Sequence, residues 1–157
     1  MAQSIRDIMT KEVQTISQDT TIKDAAMMMK SKGIGSLPVT EGKKVTGLIT
    51  DRDITIRVVA EGRDPGSTRV GEVMSKDVVT VREDADLKEA ERLMHDRQLR
   101  RLPVVNAQSE LVGYLAMAKV ARTETPQEAG KVIKGVSQPS TPAPMESYGR
   151  RRRQKTG

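Results

Sequence analysis

Thr50 and Asp53 place a hydroxyl and a carboxylate three residues apart in the stretch Gly47-Leu48-Ile49-Thr50-Asp51-Arg52-Asp53-Ile54. If a helix starts here, residues three apart share a face and the two groups stand together. A carboxylate can take the hydroxyls of a ribose diol, and the exposed N–H groups of a first helical turn suit a phosphate. The same residues read equally as a well-capped helix, with Asp51 as its N-cap and Ile54, Ile56, Val58 and Val59 as its apolar side. A second place for chemistry is Arg100-Arg101, two adjacent guanidinium groups suited to a phosphate. The plain alternative for that pair is solvated surface arginine.

Other chemistries find little support. The chain has no cysteine, which excludes disulfides, thiolate zinc sites and a cysteine nucleophile, and fits a reducing cytoplasm. Its one histidine, His95, lies between Met94 and Asp96 and reads as a partly exposed helical residue. No Gly-rich phosphate loop is present, and Asp51, Asp53 and Asp64 lack a metal-ligand spacing. No nucleophile–base set stands out, so the chain reads as non-catalytic.

The elements that must position Thr50 and Asp53 come from an internal repeat at an offset of about 65 residues. Ile8-Met9-Thr10-Lys11-Glu12-Val13 is answered by Val73-Met74-Ser75-Lys76-Asp77-Val78, and Ser36-Leu37-Pro38-Val39 by Arg101-Leu102-Pro103-Val104. Val45-Thr46-Gly47-Leu48-Ile49 returns as Leu111-Val112-Gly113-Tyr114-Leu115. Each copy predicts a short strand (Val13–Ile16 in the first), then a helix with Ile22, Ala25, Ala26 and Met29 on one face. Gly33 and Gly35 suit its stop and the following turn. Strands around Leu37–Thr40 and Val45–Ile49 and a second helix follow. Pro38 and Pro103 cannot donate to a ladder and are expected at a strand start or edge. With no Phe or Trp, the core must be Val, Ile, Leu, Met and Ala, and the nine methionines, Met27-Met28-Met29 included, read as core filling. A unit of about 50 residues so built is marginal alone, whereas two packed together share a core.

These residues resemble the tandem cystathionine-β-synthase (CBS) domains, or Bateman module, of small stand-alone bacterial two-CBS proteins. The resemblance runs from about Ile5 to Arg122 and rests on Asp7-Ile8-Met9, the paired Leu-Pro-Val strands and Gly47 to Asp53. It implies a mixed α/β (α+β) fold of two pseudo-symmetric β-α-β-β-α repeats packed through their sheets. CBS domain 1 spans 1–65, CBS domain 2 spans 66–123, and 124–157 forms a short helix and a tail. The resemblance also implies an adenosine ligand (AMP, ADP, ATP or S-adenosylmethionine) in the cleft between the domains, with no required cofactor. Gly47, Leu48, Thr50 and Asp53 would hold it from one side, and Val79, Leu99, Arg100 and Arg101 from the other. In the mirror cleft, Ala116 and Lys119 stand where Thr50 and Asp53 would be, and a lysine cannot accept ribose hydroxyl protons. One competent cleft per chain is therefore expected.

The net charge of +6 is uneven. Up to Val120 there are 19 Lys/Arg against 18 Asp/Glu, and from Ala121 onward 8 against 3. Thr125-Pro126 opens like a helix running to about Lys134. From Ser137 the chain is Ser/Pro/Thr/Ala-rich, is expected to be disordered, and ends in the run Arg150–Arg153, its one plausible contact for nucleic acid. No apolar run approaches the roughly 20 residues of a membrane span. A soluble cytoplasmic homodimer is expected, joined through Ile56, Val59 and the Val120 side and acting on an unknown protein partner. The competing expectation is a ligand-independent dimeric adaptor or stress-response protein with a vestigial cleft.

Overall fold

The computed structural model of the chain describes residues 4–123 and 126–137. Ser4 caps α1 (Ile5–Ile8), with Asp7 reaching back to the Ser4 N–H. Thr21 caps α2 (Ile22–Lys32), which stops at Gly33 in the left-handed conformation. β1 (Ser36–Glu41) and β2 (Lys44–Thr50) form an antiparallel pair. α3 (Asp51–Ile54) continues into a π-helical turn, Thr55–Val59. The second repeat follows the same order. It contains α4 (Val70–Val73), β3 (Val81–Arg82), α5 (Leu87–Arg97), β4 (Arg101–Val105), β5 (Leu111–Ala116) and α6 (Met117–Thr123). A further helix, α7 (Pro126–Ser137), packs across α5 and α6. It runs a few residues beyond the expected end, and the arginine tail lies outside the described residues.

Three sequence expectations need correction, and two share one cause. Val13–Ile16 is not a strand: Ile16 alone makes a parallel bridge, to Val39. Pro38 lies in β1, an edge strand of the two-stranded sheet β1-β2 as expected, whereas Pro103 lies inside β4, the central strand of the sheet β3-β4-β5. In a parallel ladder a residue's C=O and N–H face the same neighbour. Pro38 accepts from the Ile16 N–H at 3.1 Å but has no N–H to give to residue 14, so the ladder cannot extend toward Val13. On its other side Pro38 faces Leu48, whose N–H and C=O both turn away to Ser75, so β2 needs no donor from it. In the second repeat Pro103 precedes Val104, the partner of Val81, and β3 begins there. The third correction concerns faces. Ala26 is exposed, Met27 is 54% exposed, and only Met29 of the methionine run is fully buried.

The two repeats exchange their leading helices. Ile5, Ile8 and Met9 of α1 and its end are buried with Met94, Leu102, Val104 and Leu115 of the second repeat. Val70, Val73 and Met74 are buried with Ile22, Leu37, Val39 and Ile49 of the first. Each exchange is locked by a two-bond bridge. Leu48 and Ser75 exchange N–H···O bonds of 2.9 Å each, and Thr10 and Tyr114 exchange bonds of 2.8 and 2.9 Å. Glycine is required beside each bridge. A Cβ on Gly47 would lie 2.5 Å from the Met74 sulfur and 3.0 Å from the Ser75 carbonyl oxygen, and one on Gly113 would run into Met9. α7 adds Val132 and Val136 to the second core, beside Val120. Val120 is thus fully buried, and the Val120 side expected to be left over is already covered.

Because the Ser75 carbonyl is backbone and cannot yield, Gly47→Ala is expected to destabilise the protein by about 1–3 kcal/mol. Urea denaturation compared with wild type measures it.

Candidate ligand site at the β2–α3 junction

The antiparallel register brings Ser36 opposite Thr50, so the strand pair ends at the residue that starts the helix. Thr50, not Asp51, is the N-cap of α3: its Oγ1 accepts from the Asp53 N–H at 3.1 Å, and Asp53 Oδ2 accepts from the Thr50 N–H at 3.0 Å. This reciprocal pair is a capping box. Asp51 instead turns back on itself, its Oδ1 accepting from the Arg52 N–H at 2.8 Å, while its own N–H bonds the Gly35 carbonyl at 2.9 Å. The N–H groups of residues 51, 52 and 53 are therefore all engaged. The expectation that this turn offers its N–H groups to a phosphate is corrected: any phosphate here must be held by side chains.

The capping box leaves some capacity unused. The Thr50 hydroxyl accepts once and keeps its own O–H to donate. Asp53 gives Oδ2 to the cap, and its Oδ1 stands 3.9 Å from Arg57 Nε, beyond hydrogen-bond range. One donor and one carboxylate oxygen thus remain together, with Asp53 only 13% exposed. Gly47 serves the bridge to Ser75 and Leu48 carries it, so both residues have structural work at the edge of the site.

The residues expected from the second repeat are not all gathered at this junction. Val79 and Leu99 are half-buried against the second core. The Arg100 carbonyl accepts from the Met117 N–H at 2.9 Å, which puts Arg100 at the start of its own repeat's α6. Arg101 pairs with Ala116 across β4 and β5 and lines a cavity of about 260 Å³ with Thr10, Ser36, Pro38, Tyr114 and Ala116. This cavity belongs to the mirror cleft. There Lys119, at the position matching Asp53, donates to the Thr10 hydroxyl at 3.3 Å.

Ser36 and Tyr114 join the two repeats directly, with 3.0 Å between their hydroxyl oxygens. The sequence reading missed both. Tyr114 was open to notice as one of two tyrosines in a chain without Phe or Trp, standing where the first repeat has Leu48. Burial pushes the Tyr114 phenol above its ordinary 10.0, against the Ser36 hydrogen bond and the Arg101 charge, which pull it down. His95 is exposed, with Nδ1 3.1 Å from Asp96 and Gly135 of α7 packed against its ring.

Comparison with known proteins places this architecture. The CBS domain description matches residues 5–60 and 70–126. The CBS domain-containing protein YhcV of Bacillus subtilis is 42% identical over 135 residues, covering 85% of this chain and 95% of that protein. A crystal structure of Hypoxic Response Protein I with two coordinated zinc ions matches with a TM-score of 0.71 and 33% identity, over 78% of this chain and 100% of that one. CBSX2 of Arabidopsis thaliana, solved in complex with AMP, matches with a TM-score of 0.67 and 26% identity, over 77% of this chain and 95% of that one. The zinc belongs to that neighbour: this chain has no cysteine and one histidine, and its described residues contain no cluster of three metal-ligating side chains. No helix among the described residues is long and apolar enough to cross a membrane.

Tyr114→Phe removes the hydroxyl pair with Ser36 and is expected to cost about 1 kcal/mol at neutral pH. The raised phenol stabilises the fold fully below its unfolded value near 10.0, and this contribution is lost as pH rises toward the folded value. Urea midpoints of wild type should therefore fall more steeply than those of Tyr114→Phe as pH rises from about 10.0 toward the folded value.

Proposed function

Because the chain belongs to the CBS-domain family, we propose that it is a non-catalytic regulatory module that binds an adenine nucleotide between its two repeats. The observation that carries the reading is the spare capacity of the capping box, where the Thr50 hydroxyl and Asp53 Oδ1 stand together unspent. A ribose diol needs such an acceptor, and AMP bound by the related CBSX2 supports an adenosine ligand. Arg100 and Arg101 remain the proposed phosphate ligands, with Val79 and Leu99 as apolar walls. Arg101 is also on hand for the mirror cavity. Signalling would follow from unequal affinity for two arrangements of the repeats, read by a protein partner. Ile56 and Val59, 45% and 70% exposed, are the proposed faces of a homodimer. The cytoplasm is its proposed location.

One observation favours the competing reading of a ligand-independent adaptor: the cap accounts for Thr50 and Asp53 without any ligand, and no first-turn N–H is left for a phosphate. Calorimetric titration with AMP, ATP and S-adenosylmethionine separates the two. The sensor predicts saturable binding at one site per chain, weakened about tenfold or more in Asp53→Asn, which keeps an oxygen for the Thr50 N–H. Absence of heat with all three, in folded protein, would overturn the nucleotide reading and leave the adaptor.

A further inference from the structure

Arg57 touches both the proposed ribose ligand and the helix exchanged from the other repeat. Its Nη1 donates to the Val73 carbonyl at 2.8 Å and lies 3.4 Å from the Met74 carbonyl, the last groups of α4. Its Nε stands 3.9 Å from Asp53 Oδ1. We propose that Arg57 is a positioning residue for ribose recognition: anchored on α4, it holds the Asp53 carboxylate in place without consuming the oxygen a diol needs. The inference rests on the nucleotide reading above.

Four observations carry it. An exposed arginine ordinarily gains little from a neighbouring carboxylate, because ordering its long side chain offsets the attraction. Arg57 is 49% exposed, but its guanidinium is already ordered by the α4 carbonyls, so its field on Asp53 needs no further ordering. The distances divide the tasks: 2.8 Å to Val73 is a full hydrogen bond, whereas 3.9 Å to Asp53 is Coulombic contact that leaves Oδ1 able to accept. The π-helical turn suits this division. Ala60 N–H bonds the Thr55 carbonyl at 2.9 Å, and the widened turn that includes Arg57 departs from the straight α-helical path. Finally, the sequence couples the two groups within one chain. In the second repeat, where Lys119 replaces the carboxylate, the position four residues on is Thr123. The repeat that lacks the acid also lacks the arginine.

The test is calorimetric titration of wild type, Arg57→Ala and Arg57→Lys with AMP and with 2′,3′-dideoxy-AMP, which cannot use Asp53. Arg57→Ala should weaken AMP about tenfold and leave the dideoxy compound within about twofold, with part of the loss restored in Arg57→Lys. Equal weakening of both compounds makes Arg57 a structural residue and overturns the proposal. Unchanged AMP affinity in Arg57→Ala overturns it as well. Should Arg57→Ala fail to fold by circular dichroism, Arg57→Gln, which keeps a donor for the Val73 carbonyl, takes its place under the same criteria. Wild type that binds no AMP overturns this inference, and failure to bind ATP and S-adenosylmethionine as well overturns the nucleotide reading itself, outcomes distinct from wild-type AMP binding that is indifferent to Arg57.

Discussion

The structure depends on the exchange of α1 and α4 between the repeats. Each repeat has a hairpin, two helices and no Phe or Trp, so its own residues bury too little apolar surface for an independent core. Handing Ile5, Ile8 and Met9 to one core and Val70, Val73 and Met74 to the other makes each repeat part of its neighbour's interior. The bridges Leu48–Ser75 and Thr10–Tyr114 add backbone hydrogen bonds to that packing. Gly47 and Gly113 are fixed by the same demand, since a methyl group at either position would strike the incoming segment. The Gly-Leu and Gly-Tyr pairs are therefore first a joint between repeats, and any ligand site is built beside that joint.

At the joint the chain uses the same atoms twice. Thr50 and Asp53 start α3 by satisfying each other's backbone N–H groups, which an unpaired helix start would leave exposed. A hydroxyl and a carboxylate have more hydrogen-bonding capacity than a cap consumes, so the cap orients both groups and still leaves one donor and one acceptor. Losing the geometry of this site would also cost the helix its start.

The two clefts are unequal despite the pseudo-symmetry. One carries Thr50, Asp53 and Arg57, the other Ala116, Lys119 and Tyr114. The second cleft has lost the acceptors and gained a phenol that reaches Ser36 of the first repeat. Coverage differs as well: α7 closes over α5 and α6, while Met27, Ile56 and Val59 of the first repeat stay exposed. Duplication supplied a scaffold on which each half took a different chemical character.

Sequence alone determined the repeat, the helix–hairpin–helix order at the centre of each copy, and the pairing of Thr50 with Asp53, because these rest on local spacing and on turn residues such as Gly33. It also exposed the loss of the acid at Lys119, since the repeats align residue by residue. Tertiary structure decided what depends on neighbours distant in the chain. Val13–Ile16 has strand-forming residues, but Pro38 denies the ladder its next donor, a fact visible only once the two segments are adjacent. Thr50 rather than Asp51 became the cap because the Gly35 carbonyl takes the Asp51 N–H and fixes where the helix begins. The exchange of α1 and α4, the hydroxyl pair of Ser36 and Tyr114, and the grip of Arg57 on α4 join residues 16 to 110 positions apart, across distances that a periodic pattern in sequence does not encode.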